Sequence, residues 1–157
     1  MIGSGPAARP TGPARGSGGQ LIGDDALAAA DAIIGRLSRE FPAHASRDLQ
    51  DMERAAARIS IGGDAADSHY REISRLAHDI RGQGAVFGYP LLSRLADTLC
   101  QATRMLSAQD RAAAVIVNSH VAGMRAVLDQ RITGTENRAA LTIAAALELL
   151  VRSRLPH

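Results

Sequence analysis

From Asp24 onward, apolar residues recur every three or four positions, the period of one helical face. A first run places Leu27, Ile33, Ile34, Leu37 and Phe41 on such a face. It predicts a helix from an Asp24 or Asp25 cap to about Glu40, broken by Pro42. A second run, about residues 45–60, repeats Leu49, Met52, Ala56 and Ile59 and stops at Gly62-Gly63. Asp64 or Asp67 can cap a third helix, about residues 66–87, which Gly88 closes. Pro90 sits just inside a fourth, about 90–106, with Leu91, Leu92, Leu95, Leu99, Ala102 and Leu106 apolar. Ser107 caps a fifth to about Ile132, with Val115, Ile116, Val121, Val127 and Leu128 inside. Gly134 breaks the pattern, and Thr135 opens a last helix to about Arg154.

Short connections between amphipathic helices make neighbours antiparallel. The expected fold is therefore all-α, an up-and-down antiparallel four-helix bundle with additional N- and C-terminal helices. Composition agrees: 46% of residues are hydrophobic, with only two Tyr, two Phe and no Trp. The core must come from Ala, Leu, Ile and Val, and strand formers are scarce. No strand–turn–helix alternation supports a nucleotide-binding or receiver-type α/β domain. Residues 1–23, rich in Gly, Pro, Ala, Ser and Arg without periodicity, read as a disordered arm. Residues 24–157 form the helical domain.

Charge and cysteine usage narrow the function. All 18 basic residues are Arg and stand against 16 acids, for a net charge of +2. The arginines are dispersed and aromatics nearly absent, which argues against nucleic acid. A single cysteine, Cys100, excludes an intrachain disulfide framework, fits a reducing, cytoplasmic setting, and reads as a structural thiol. There is no secretory signal, and the apolar stretch 139–151 is too short to span a bilayer. No metal-ligand spacing, phosphate loop or catalytic base is present, so no autonomous kinase or hydrolase activity is expected.

The third helix carries the candidate chemistry. On a wheel, Ile73, Leu76, Ala77, Ile80, Gly84 and Phe87 form one stripe that must face the core. His78 falls roughly 150° from its centre, beside Arg71, Arg75 and Gly82, with Arg81 and Ala85 flanking. A helix-interior Gly costs about 0.8–1.0 kcal/mol relative to Ala. Close helix contact explains Gly84; Gly82 faces solvent, and its missing side chain clears an approach to the imidazole. An exposed imidazole at neutral pH offers one free ring nitrogen as a nucleophile. Arg75 and Arg81, one turn away, can hydrogen-bond a phosphoryl group once attached, and Arg71 ranks below them because it can simply solvate a face or pair with Glu72 or Asp67.

The run Ala77-His78-Asp79-Ile80-Arg81-Gly82-Gln83-Gly84-Ala85-Val86-Phe87-Gly88 resembles the phosphorylation-site motif of histidine-phosphotransfer (HPt) domains. Ile80, Arg81, Gly82, Gly84, Phe87 and Gly88 occupy matching positions, whereas Gln83 departs from the usual small residue. The likeness is sharp over residues 77–99 and architectural over 45–132. It implies a four-helix bundle, a phosphohistidine at His78, and a two-component phosphorelay. The partners it implies are a response-regulator receiver aspartate and a hybrid histidine kinase, with Arg71, Arg75, Arg81, Gly82, Gln83 and Ala85 around the site. The chain would bring no cofactor of its own, Mg²⁺ being expected on the receiver. It would act as a monomer.

Two other classes fit a helical bundle. One is a non-catalytic adaptor that binds a receiver or kinase; the other is a kinase-type dimerisation module, which normally needs a following α/β domain. His44, His69, His120 and His157 lack a companion pattern and are expected at helix surfaces or caps.

Overall fold

A computed structural model describes residues 23–154 together with Gly3, Gly5, Ala8 and Gly12; the arm's expected disorder lies outside the described residues. Five helices follow in order: α1 (Asp24–Ile61), α2 (Ala66–Gly84), α3 (Pro90–Met105), α4 (Ala113–Asp129) and α5 (Arg138–Arg152). There is no strand among the described residues. Helix α1 packs on α2, α2 on α3, α3 on α4, and α4 back on α1, which closes a ring of four. Helix α5 lies outside that ring, against α3 and α4. The all-α bundle with terminal additions is thus the fold, because each apolar stripe finds its cover in a neighbouring helix.

The first two expected helices are one. Helix α1 runs through Pro42 for 38 residues, about 57 Å at helical rise. An interior proline costs about 3 kcal/mol, and burial on both sides offsets it. The Phe41 ring lies 5.1 Å from Phe87 and 5.8 Å from Tyr89, and Ala45, Leu49 and Met52 follow in the core. The expected inward face before Phe41 is not inward: Leu27, Ile33, Ile34 and Leu37 are exposed.

Helix α2 buries Ile73, Leu76, Ala77, Ile80 and Gly84, the stripe read from the wheel, with Phe87 half-buried beyond it and Tyr70 buried one turn before it. Its regular turns stop at Gly84, and residues 85–88 tighten into a closing motif. The Tyr89 N–H donates to the Gly84 carbonyl at 2.7 Å and the Gly88 N–H to Ala85 at 3.3 Å, with Gly88 at φ 88°. Two contacts fix the α2–α3 register. A Cβ on Gly84 would meet the Ser93 amide at 3.0 Å, and the Thr103 hydroxyl donates to Ser74 Oγ at 3.2 Å. Ten residues back along α2 thus match ten forward along α3, an antiparallel pair.

Three expectations around α4 and α5 are corrected. Residues 107–112 form turns, not helix, so Ser107 caps nothing. The Asp110 carboxylate instead accepts from the Ala112 N–H at 3.0 Å, and α4 begins at Ala113. Val115 points outward, while Ile116, Val121, Val127 and Leu128 are buried as expected. Helix α5 opens at Asn137, whose side chain accepts from the Ala140 N–H, rather than at Thr135.

Candidate functional site

His78 sits mid-way along α2, exposed, because the stripe it opposes is seated in the core. It lines an open groove of about 390 Å³ together with Arg71, Ser74, Arg75 and Arg81 of α2 and Cys100 and Arg104 of α3. The imidazole makes no side-chain hydrogen bond to the described residues, so neither ring nitrogen is engaged. Beside it, a Cβ built on Gly82 meets nothing within 4 Å. The approach over that position is open.

The structure brings His78, Arg71, Arg75 and Arg81 to one groove. Gln83 lines a different, neighbouring groove with Leu37, Phe41, His44, Asp48 and Phe87. Ala85 is exposed on the closing turn and lines neither. Ser74, one turn before His78 on α2, was legible but passed over, whereas Arg104 was not visible to reasoning along one helix. Arg104 arrives from α3, and only the antiparallel register set by Gly84–Ser93 and Ser74–Thr103 puts it opposite the first half of α2.

The four arginines are not equivalent. Arg75 pairs with Asp79 at 3.0 Å, and Arg81 with Asp97 at 3.3 Å. Among the described residues, Arg71 and Arg104 have no carboxylate within ion-pair distance, so the groove's excess positive charge gathers on their side of His78. The sequence reading set Arg71 below Arg75 and Arg81 because it could pair with Glu72 or Asp67, and neither pair is formed among the described residues. One α3 side chain ties the groove's two helices together, since Ser93 Oγ donates to the Arg81 carbonyl.

Two further titratable groups border the site. Burial pushes the Cys100 thiol up, and Asp97 adds to it while Arg81 and Arg104 oppose. A thiol held protonated is a poor nucleophile. Burial also raises the Asp48 carboxyl, with Asp79 and Asp51 adding to it while Arg75 and His44 pull it down. No group of three or more His, Cys, Asp or Glu among the described residues is placed to hold a metal ion. What the arrangement offers is an accessible imidazole in a cationic groove.

A family model described as Hpt domain matches residues 36–138, well over half the chain. The chain belongs to the Hpt domain family. The match begins inside α1 and ends at the first residue of α5, so the first third of α1 and almost all of α5 are additions to this Hpt domain. No curated protein and no solved structure matches the chain. The family is that of histidine phosphotransfer in phosphorelays. No helix among the described residues is long and apolar enough to cross a membrane.

Proposed function

We propose that this Hpt protein carries a phosphoryl group on His78 between the aspartates of receiver domains in a two-component phosphorelay. The observation that carries the reading is an exposed, unengaged imidazole, framed by arginines and left open at Gly82. A neutral ring nitrogen attacks the phosphorus of a partner's aspartyl phosphate. The N–P bond forms, the acyl O–P bond breaks, and the aspartate leaves as a carboxylate; the second transfer reverses these roles. Arg75 and Arg81 hold the phosphoryl oxygens, and Arg71 and Arg104 draw in the acidic partner face. Mg²⁺ belongs on the receiver, whose carboxylates would hold it. The hybrid kinase upstream and a cytoplasmic setting are part of the same proposal.

The test is phosphoryl labelling from a phosphorylated receiver. Wild type should acquire an acid-labile, alkali-stable label that His78→Gln lacks. Gly82→Leu should fold, since open space receives its side chain, yet transfer slowly because docking is blocked. Equal labelling of wild type and His78→Gln would overturn the carrier reading. Receiver binding without any label would leave the chain a helical adaptor.

A further inference from the structure

The first half of α1 stands beyond the bundle. Among the residues of α1, none before Phe41 is buried, and of residues 24–40, about 25 Å of helix, Leu37 borders a groove that it shares with Gln83 and Phe87. Yet this segment is not a solvent helix. Leu27, Ile33, Ile34 and Leu37 are 49%, 50%, 53% and 41% exposed, and with Ala30 they crowd one side. Leu27, Ala30, Ile34 and Leu37 fall within about 80° of arc at 100° per residue. A helical segment of this length, with Gly35 in its interior, is marginal in water unless its apolar face is covered.

We propose that the cover is a second copy of this chain, paired antiparallel through residues 24–40. The seam is self-complementary. Its spacing of three, four and three residues reads the same in both directions, so a two-fold axis at Ala32 sets Leu27 against Leu37 and Ala30 against Ile34. Each small residue then receives a large one. Parallel pairing would instead set Ala30 on Ala30 and leave a gap beneath Ile34. Charge favours the same direction. Asp24, Asp25 and Asp31 occupy the first half of the segment and Arg36 and Arg39, with Glu40, the second. Antiparallel pairing therefore sets the acidic half of one copy alongside the net basic half of the other, a long-range preference since both arginines lie away from the seam. Four half-exposed side chains per copy cover less area than the roughly 1,200–2,000 Å² of a standard interface, so the dimer is reversible. Residues 24–35 of the segment lie outside the residues matched to the family, and no seam residue lines the His78 groove.

Sedimentation over about 5–500 µM should show a monomer–dimer equilibrium, and Ile34→Glu should weaken it by about tenfold or more. Both variant positions are already solvent-exposed, so Ile34→Glu and Leu27→Glu should keep the melting temperature of the dilute protein. Orientation is read by oxidising a mixture of Leu27→Cys and Leu37→Cys proteins, which should give the mixed disulfide over either symmetric one. His78→Gln should dimerise like wild type, which separates this inference from the phosphotransfer reading. A monomer at every concentration, a dimer untouched by Ile34→Glu, or predominantly symmetric disulfides would each overturn the proposal. The first result, with the α1 amides protected from exchange, would assign the cover to the chain's own N-terminal residues.

Discussion

His120 shows how far a residue's surroundings govern its chemistry. It is fully buried on α4, where Nδ1 donates to the Ile116 carbonyl at 2.7 Å and Nε2 has no partner among the described residues. The expectation of a surface or capping histidine is therefore wrong for this position. Burial lowers its pKa, with the Ile116 hydrogen bond opposing. The unfolded chain then binds a proton below its ordinary pKa of about 6.5, while the folded chain does not. Stability is fully present above that value and falls as pH drops through it. Denaturation midpoints between pH 7 and 5 should decline for wild type and decline less for His120→Leu; parallel profiles would remove His120 as the cause. By contrast, His78 was legible because its wheel position opposes a stripe that is indeed buried. Arg104 was not, since no spacing along α2 can report a side chain delivered by α3.

At the scale of elements, the periodicity located the core stripes of α2, α3 and the second part of α1, misplaced Val115 in α4, named no stripe for α5, and missed several boundaries. Pro42 reads as a breaker, and the Phe41–Phe87–Tyr89 packing overrides it. Ser107 reads as a cap, whereas the Asp110 carboxylate holds the turn that leads into α4 and no side chain among the described residues caps the helix itself. Helix ends repeat one device with different residues. After α4, the Ile132 N–H donates to the Val127 carbonyl at 2.9 Å and the Arg131 N–H to Leu128 at 3.0 Å, the same closure that follows α2. There the left-handed position is Gly88; here it is Arg131 at φ 50°. A side chain in that conformation costs about 1 kcal/mol that glycine avoids. Arg131→Gly should therefore stabilise the protein by about 0.5–1 kcal/mol, less the greater entropy of the unfolded glycine chain. Gly88→Ala should do the opposite. Urea titration of both variants measures the pair, and an unstable Arg131→Gly would show that the arginine side chain contributes more than its backbone costs.

For the whole molecule, the division of labour between ring and additions follows from which faces carry what. The site lies between α2 and α3, whereas α5 covers α3 and α4 from outside the ring. That attachment is mainly apolar. A Cβ on Gly123 would meet Ile143 and Leu147 side chains at 3.3 Å, and Ala140, Ala144, Leu147 and Val151 are buried. One paired clamp fixes its orientation: Arg94 donates to Glu148 at 2.6 and 3.0 Å, and this bond holds the Glu148 carboxyl below its usual range. The sequence marked α5 as well packed from its Ala, Leu and Ile content. It could not say against which helices, because an outer helix bears the same pattern as an inner one. Leu147→Ala should remove about 2–5 kcal/mol, the loss of a buried leucine plus the cavity beside Gly123. Arg94→Gln should cost about 1 kcal/mol or less, since the pair is partly exposed and screened. Neither change touches the groove around His78. In dilute buffer, where both variants remain folded, phosphoryl transfer should stay within about twofold of wild type, since only an interaction felt in the transition state alters rate. A large fall in transfer for Leu147→Ala at full helix content would mean that α5 acts through α3 on the Arg104 side of the groove, and that the outer helix is part of the transfer machinery.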